Sequence, residues 1–509
     1  MNHSEIPWAK IAVFDLNHGG FAIAEQLSKK GIYVTVFDVY GKTSEEQLKS
    51  ASERYGFSVS GKVEDLENPD GAPFEIICSP IHLYGQNEFF KKADELKIPI
   101  ITHHDMVGRL LHGDKRLAGK KLFEITGVRG KTSTAILFAQ MISAKKTVSL
   151  HTSKGLSIWK DGNFTNICDG ISISPAYVPS ILDLIFDAGY DPDFFIFEIS
   201  LGSTGAEDVG ILTTLDPEYM VSGNTVSSTD IKTQIFTRAK ENGTFIVNYD
   251  DWAKIKSYIR QDQKVIIFDA SGKAISDGAT TDAFLDISKG KDGASTLEIE
   301  SSRNSLFFST LLKDGYDAES YKIAFAASIS AALEFDVSES YIADIIRQFK
   351  GINGRMQESQ KEDRFILDNS NSGLDIYSCE FAIKYMLGKY FDKKSAHYDP
   401  KRKLIVVIGE ENKTVCSGML PQDIDKLLNV YKKEISESVF VGSRLHDYMQ
   451  EICAVTENQD GERKTAPTDL DESGDVCALY ADDFVSGFEK ALEVSKEGDV
   501  IVLNVKCFR

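Results

Sequence analysis

Short apolar runs, each closed by a glycine or polar turn and followed by a stretch of helical period, recur along the chain. Ile11 to Phe14 reads as a strand, Phe21 to Lys30 as a helix and the run ending Val36-Phe37-Asp38-Val39-Tyr40 as a second strand, which makes a βαβ unit. The alternation continues with a strand at Glu75 to Cys78, a helix at Gly85 to Leu96 and a strand at Ile98 to Thr102. Leu122 and Phe123 lead a strand, Ala135 to Ile142 a helix, and Val148 to Gly155 a strand ending in polar groups. Phe194 to Leu201 sets four apolar residues before Glu198, the pattern of a buried parallel strand. Near the end, Leu404 to Ile408, Ser438 to Val441 and Asp499 to Val505 alternate with helices at Asp423 to Lys432 and Asp482 to Val494. Strand–helix alternation on this scale predicts an α/β fold of open parallel sheets. Asp277 to Ser305, rich in Gly, Asp, Ser and Thr, reads as a surface hairpin insertion.

The stretch Glu124-Ile-Thr-Gly-Val-Arg-Gly-Lys-Thr-Ser-Thr134 falls at one strand-to-helix turn. Unpaired N–H groups and the positive end of the helix dipole bind phosphate there, glycines admit it closely and a lysine neutralises it. Thr126 to Ser133 are therefore the candidate ATP loop: Thr126, Gly127, Val128, Arg129, Gly130, Lys131, Thr132 and Ser133. A strict P-loop would place glycine at Ile125, so the motif is the shorter Thr-Gly-x-x-Gly-Lys-Thr-Ser. Glu198, at a buried strand end, needs a cation; Mg²⁺ held with Thr132 and ATP phosphates supplies one. His18, in Asp15-Leu-Asn-His-Gly-Gly20, follows a strand at the edge where ligands of open sheets collect. It reads either as a substrate contact or as a local cap. His103 and His104 follow another strand and read as solvated loop residues.

With 509 residues the chain has room for roughly two to four domains. Its 77 Asp+Glu against 57 Lys+Arg, a formal charge of -20, disfavour nucleic acid and anionic membranes as partners and favour small molecules. Seven cysteines without a Cys-x-x-Cys pair suit a reducing compartment, and no apolar run is long enough to span a bilayer; a cytoplasmic monomer or homodimer is expected.

The ATP loop, the Glu-x-Ser strand end, Gly210-Ile-Leu-Thr-Thr214, Asp230-Ile-Lys-Thr-Gln-Ile-Phe236, Val247-Asn-Tyr-Asp-Asp251, Gly354-Arg-Met356 and Ile366-Leu-Asp368 together resemble the Mur ligases. That resemblance implies three α/β domains: a Rossmann-like substrate domain at 1–118, a central P-loop ATPase at 119–353 and a Rossmann-like C-terminal domain at 354–509. It implies an ADP-forming ligase using ATP and Mg²⁺. Lys131 would bind the terminal phosphates, Thr132 and Glu198 would face Mg²⁺, and Asn248, Arg355 and Asp368 would contact the nucleotide. Lys232 matches a lysine that many members carbamylate as a metal ligand, and reads equally well as an ordinary helix-face lysine. Asp216-Pro217-Glu218-Tyr219 offers no histidine where the family has one, and Tyr321 to Leu333 lacks the adenine-contacting asparagine. The segments around His18, Gly19 and Gly20, His151 and Lys154, Asp368 to Gly373 (with Asn369 and Asn371) and Val415 to Gly418 resemble an archaeal branch that closes a ring on a nickel tetrapyrrole. That branch implies His18, Gly19, Gly20, His151, Lys154, Asn369 and Asn371 as substrate residues. An amino-acid-adding cell-wall ligase and an ATP-binding regulator without ligase chemistry are the other readings.

Overall fold

The computed structural model describes residues 6–41, 43–67, 71–83, 87–290, 294–411, 418–448 and 477–507. Strands β1 (Lys10–Phe14), β2 (Tyr33–Phe37), β3 (Ser58–Ser60), β4 (Ile76–Ser79) and β5 (Ile100–Thr102) form a parallel sheet in the order β3-β2-β1-β4-β5. Strand order reverses between β1 and β4, so the loops that follow these two strands diverge and open a crevice.

The second sheet has eleven strands. Its parallel centre contains β6 (Lys121–Thr126), β7 (Val148–Thr152), β10 (Phe194–Glu198), β11 (Val209–Leu212), β14 (Thr244–Asn248), β15 (Lys264–Asp269) and β16 (Ala283–Lys289). Antiparallel strands extend both edges: β8 (Gly155–Lys160) and β9 (Asn163–Cys168) beyond β7, β17 (Ser295–Ser301) and β18 (Leu306–Leu311) beyond β16. The segment expected as a hairpin insertion holds β16 and β17, an antiparallel pair that continues this sheet rather than standing apart from it. A short ribbon pairs β12 (Met220–Val221) with β13 (Val226–Ser227). β6 lies between β10 and β11, which sets the residues ending those strands on either side of the loop leaving β6.

The two sheets belong to one compact unit, residues 1–311 and 321–347. The cause is a shared core, in which Ile11, Val13, Val107 and Leu110 from the first sheet layer join Leu122, Leu156, Ile181 and Phe195 from the second. Burial of this apolar surface, about 25 cal/mol per Å² removed from water, resists separation of the two layers.

The second unit, residues 312–320 and 348–509, carries β19 (Gln357–Lys361), β20 (Arg364–Asp368), β21 (Leu404–Glu410), β22 (Glu437–Val441), β23 (Cys477–Ala481) and β24 (Val500–Lys506) in the order β19-β20-β24-β21-β22-β23. Alternate residues feed cores on opposite faces: Val406, Ile408, Val500 and Val502 on one, Ile405, Val407, Ile501 and Leu503 on the other. Among the described residues no helix is long and apolar enough to cross a membrane.

Candidate active site

The loop between β6 and the helix Lys131–Ile142 turns through two glycines with positive φ, Gly127 (145°) and Gly130 (81°). A Cβ on Gly127 would stand 2.0 Å from Thr213 Oγ1 and 3.0 Å from the Thr214 nitrogen, so only glycine fits beside β11. Thr213 donates its hydroxyl to the Arg129 carbonyl at 2.6 Å, and the Val128 N–H donates to the Thr214 carbonyl at 2.7 Å. Lys131 donates Nζ to the Gly127 carbonyl at 3.0 Å and to that of Val128 at 3.4 Å, which curls it over the turn. The Thr126 hydroxyl is buried at the base of the loop with no hydrogen-bond partner.

Glu198, 2% exposed at the end of β10, accepts the Thr132 hydroxyl on both carboxylate oxygens at 3.0 Å and the Ser153 N–H at 3.0 Å. The structure therefore brings Lys131, Thr132 and Glu198 to one place from two strand ends. A buried carboxylate touching a hydroxyl below a glycine-lined phosphate turn fits Mg²⁺ bound to a nucleotide, because Mg²⁺ prefers oxygen donors and keeps several waters. Asn248, at the end of β14, caps the next turn by accepting the Asp250 N–H at 3.2 Å, while its buried Nδ2 has no partner, as suits a group that donates to a nucleotide. Ser133 is buried in the first helical turn, and Arg129 is exposed.

Lys232 is wholly buried and is not the solvated helix-face lysine that its sequence context also allowed. Its Nζ donates to the Ser200 carbonyl at 3.1 Å and lies 6.0 Å from the Tyr219 ring centroid. Burial, with the Lys131 charge as a smaller cause, pushes its pKa well below the ordinary lysine value. That shift favours the neutral amine, the form able to react with CO₂.

Four histidines lie at or beside the first sheet's carboxyl edge. Asp15 Oδ2 is 2.6 Å from His18 Nδ1 and accepts the His18 N–H at 3.1 Å. The His82 ring sits edge-on to that of His18 with centroids 4.4 Å apart, and its Nε2 is buried with no partner. His103 and His104 correct the expectation of solvated loop residues: they open the helix His103–His112 and are 2% and 4% exposed. His103 Nε2 meets the Phe14 carbonyl at 3.1 Å and His104 Nε2 the Leu201 carbonyl at 2.5 Å. Burial depresses their pKa values to about 3 and about 4, and that of His82 to about 4. Leu201 follows Glu198 by three residues, so the histidine edge adjoins the loop that carries the buried carboxylate.

Of the residues expected to meet substrate, Gly19, Gly20, His151, Asn369 and Asn371 are held in structural contacts, whereas Lys154 is not buried. Gly19 would place a Cβ 2.3 Å from that of Ala176, and Gly20 one 1.8 Å from the Asp15 carbonyl oxygen; close packing accounts for both glycines. His151 lies inside β7, 1% exposed, with Nε2 3.3 Å from the Ile171 carbonyl and a pKa lowered by burial to about 4, so it presents no cation to a carboxylate. Lys154 lies partly exposed in the turn after β7, its N–H bonded to Thr152 Oγ1. In the second unit, Asn369 Nδ2 donates to the Ser378 carbonyl and to Asn504 Oδ1, and Asn371 Nδ2 to the Gly354 and Asn369 carbonyls. Both amide donors are spent on holding the turn after β20. Asp368 accepts the Gly354 and Ser370 N–H groups, and the partly exposed Arg355 lies next to Gly354. Of the segment 415–418, residues 415–417 lie outside the described residues.

Thr213, Ser153, Asp15 and His82 also belong to these sites, although no local motif assigns them a role. Asp15 and His82 carried a faint signal, since each follows an apolar strand of the same predicted sheet.

The family description "Mur ligase middle domain" matches residues 125–313, and "Coenzyme F430 synthetase CfbE, C-terminal domain" matches residues 358–507. The chain is similar to the coenzyme F(430) synthetase of Methanosarcina acetivorans, 34% identical over 511 residues that cover 98% of this chain and 99% of the relative. The synthetase of Methanocaldococcus jannaschii is 24% identical over 438 residues, 84% of this chain and 90% of the relative. Among solved structures, the MurF ligase of Thermotoga maritima in complex with ADP shares the fold with a TM-score of 0.51 at 13% identity, covering 98% of this chain and 95% of that one.

Proposed function

The chain belongs to the coenzyme F430 synthetase family, a branch of the Mur ligases, and from that premise we propose that it is the ATP-dependent ligase closing the last ring of the nickel tetrapyrrole coenzyme F430. A propionate carboxylate of the precursor attacks the γ-phosphorus of ATP and ADP leaves. A carbon of the macrocycle then attacks the acyl phosphate carbonyl, the C–O bond to phosphate breaks with its electron pair, and the attacking carbon gives up its proton. The observation that carries this reading is the pair of 3.0 Å bonds from Thr132 to the buried Glu198 beneath the Gly127–Gly130 turn.

Carboxylates are poor electrophiles, and phosphorylation supplies the leaving group; what the protein adds is position and charge. Lys131 turns from the Gly127 and Val128 carbonyls to the terminal phosphates. Thr132 and Glu198 would hold a Mg²⁺, which would supply charge neutralisation for the transferred phosphoryl group. Lys232, pushed toward its neutral form by burial, is available for carbamylation, which would turn it into an anionic metal ligand. Asn248 supplies an unspent amide donor to the nucleotide, and Arg355 and Asp368 of the second unit are assigned to phosphate and ribose. The macrocycle carboxylates are assigned to the first sheet edge around His18, with Lys154 as a further cation. The modules 1–118, 119–353 and 354–509 are the functional divisions this mechanism uses.

The test is ADP release by the purified protein with nickel tetrapyrrole precursors and, separately, with a panel of amino acids. Precursor-dependent release with ring closure is expected, and amino-acid-dependent turnover would replace this reading with a peptide-forming one.

A further inference from the structure

The switch point of the first sheet lies between β1 and β4, and the loops that leave these two strands bring Asp15 and His18 together with His82. After β1, the chain passes through Asp15 in a left-handed conformation, φ 78°, which returns the carboxylate onto His18. A carboxylate on Nδ1 holds the proton there and leaves Nε2 as the lone-pair nitrogen, the arrangement that prepares an imidazole for a metal. After β4, His82 brings a second ring edge-on to the first, and its buried Nε2 has no partner among the described residues. One donor atom each from Asp15, His18 and His82 lie within 4.8 Å of one another. Two imidazoles backed by one carboxylate do not suit Mg²⁺ or Ca²⁺, which select oxygen donors; they suit nickel, cobalt or zinc. The magnesium chemistry assigned to Thr132 and Glu198 leaves this cluster unused.

We propose that Asp15, His18 and His82 form a binding site for a divalent first-row transition metal. Its ligand chemistry has two possible sources, a free ion and the nickel already held in the substrate macrocycle; the second rests on the function proposed above. The two make different demands. A free ion takes nitrogen from both rings, whereas a metal already bound by four equatorial nitrogens has only axial positions and takes one imidazole. His82, whose Nε2 has no other partner, is that one.

The first arm of the test titrates the purified full-length protein with Co²⁺ alone, with excess Mg²⁺ occupying the phosphate-side site, and follows visible absorption and stoichiometry. The second arm adds a nickel tetrapyrrole precursor and follows the nickel spectrum for axial nitrogen ligation. For a free ion, one Co²⁺ binds per chain, His18→Ala and His82→Ala each remove binding, and Asp15→Asn weakens it about 10–100-fold. For macrocycle nickel, the axial change is lost in His82→Ala and retained in His18→Ala. Nucleotide affinity equal to that of the wild type shows that each variant is folded; His82→Gln serves where His82→Ala is not. If neither Co²⁺ binding nor the nickel spectrum depends on His82, the proposal is overturned. Absence of precursor-dependent ADP release in the wild type would count against the proposed function and would leave the Co²⁺ arm fully readable.

Discussion

At the end of β6, main-chain groups of the phosphate turn are tied down, the Val128 N–H to the Thr214 carbonyl, the Arg129 carbonyl to the Thr213 hydroxyl and the Gly127 carbonyl to Lys131 Nζ. At the end of β1, the polar side chains meet one another instead, Asp15 to His18 and His18 to His82, with a ring nitrogen left over. Both places end parallel strands in one compact unit, yet they are built for different ligands. Phosphate is the same in every nucleotide, so a main-chain cradle with one lysine serves it, with Thr132 and Glu198 beside it. A macrocycle or metal is read by donor type and direction, so side chains carry the recognition and the main chain only delivers them.

The contrast is broken most severely by Lys131→Ala. If the cradle needs its mobile charge, the rate of ADP release falls by about 10²–10³-fold, with the melting temperature unchanged, since Lys131 is only partly buried. Retained turnover would mean that the main-chain groups suffice. Glu198→Gln comes next. It keeps shape and can still hydrogen-bond Thr132 and Ser153 but loses the charge, so the Mg²⁺ concentration for half-maximal rate rises by about 10-fold or more; an unchanged Mg²⁺ requirement would remove Glu198 from the metal site.

Lys232→Met sharpens the contrast, because it separates function from stability. A buried lysine whose pKa is pushed down by desolvation destabilises the fold at neutral pH, and the penalty fades as pH rises toward the ordinary lysine range, where the unfolded chain also loses its proton. The methionine variant should therefore lose activity while melting about 2–4 °C higher near pH 7, with the difference shrinking toward pH 10. Added bicarbonate should raise the melting temperature of the wild type alone if the amine is carbamylated. A variant with wild-type turnover would assign Lys232 to packing.

How much of this was legible beforehand follows from sequence separation. The nucleotide loop is a contiguous stretch of residues whose glycines, lysine and hydroxyls are adjacent in the chain, and Glu198 declared itself by ending four apolar residues. Strands β4, β10 and β21 were legible for the same reason, each being a nearly continuous buried run, whereas β3, with no buried residue, gave no such signal. The β1–β4 crevice is assembled from Asp15, His18 and His82, and no local pattern tells which distant strand end will be the neighbour. His151, a polar residue inside a strand, looked like a ligand, and Lys232 read equally well as a metal-site lysine and as a helix-face one. Burial decides both, and burial is a property of the folded unit. The same holds for Asn369 and Asn371, whose amides are consumed by carbonyls as far away as residue 354 and by Asn504.

The smallest expected effect tests the histidine edge by acid. His103 is neutral in the folded chain, its pKa held at about 3 by burial, and its Nε2 meets the Phe14 carbonyl. An unfolded histidine titrates near 6.5, so below that pH the unfolded chain takes up a proton the folded chain refuses. The stability tied to His103 is fully present above about pH 6.5 and is lost progressively as pH falls toward 3, at a ceiling of about 1.4 kcal/mol per pH unit for one proton. His103→Gln keeps an N–H donor for Phe14 and has nothing to protonate. Melting temperatures at pH 8 should nearly agree between the two proteins, whereas at pH 5 the variant should melt higher by a few degrees. Because His103 touches the carbonyl of the last β1 residue, the gain should appear as retained order around His18 and leave nucleotide binding at the β6 loop at its wild-type affinity. Equal losses in both proteins between pH 8 and pH 5 would show that acid reaches the fold through other groups, and the histidine edge would then be no more pH-sensitive than the phosphate cradle.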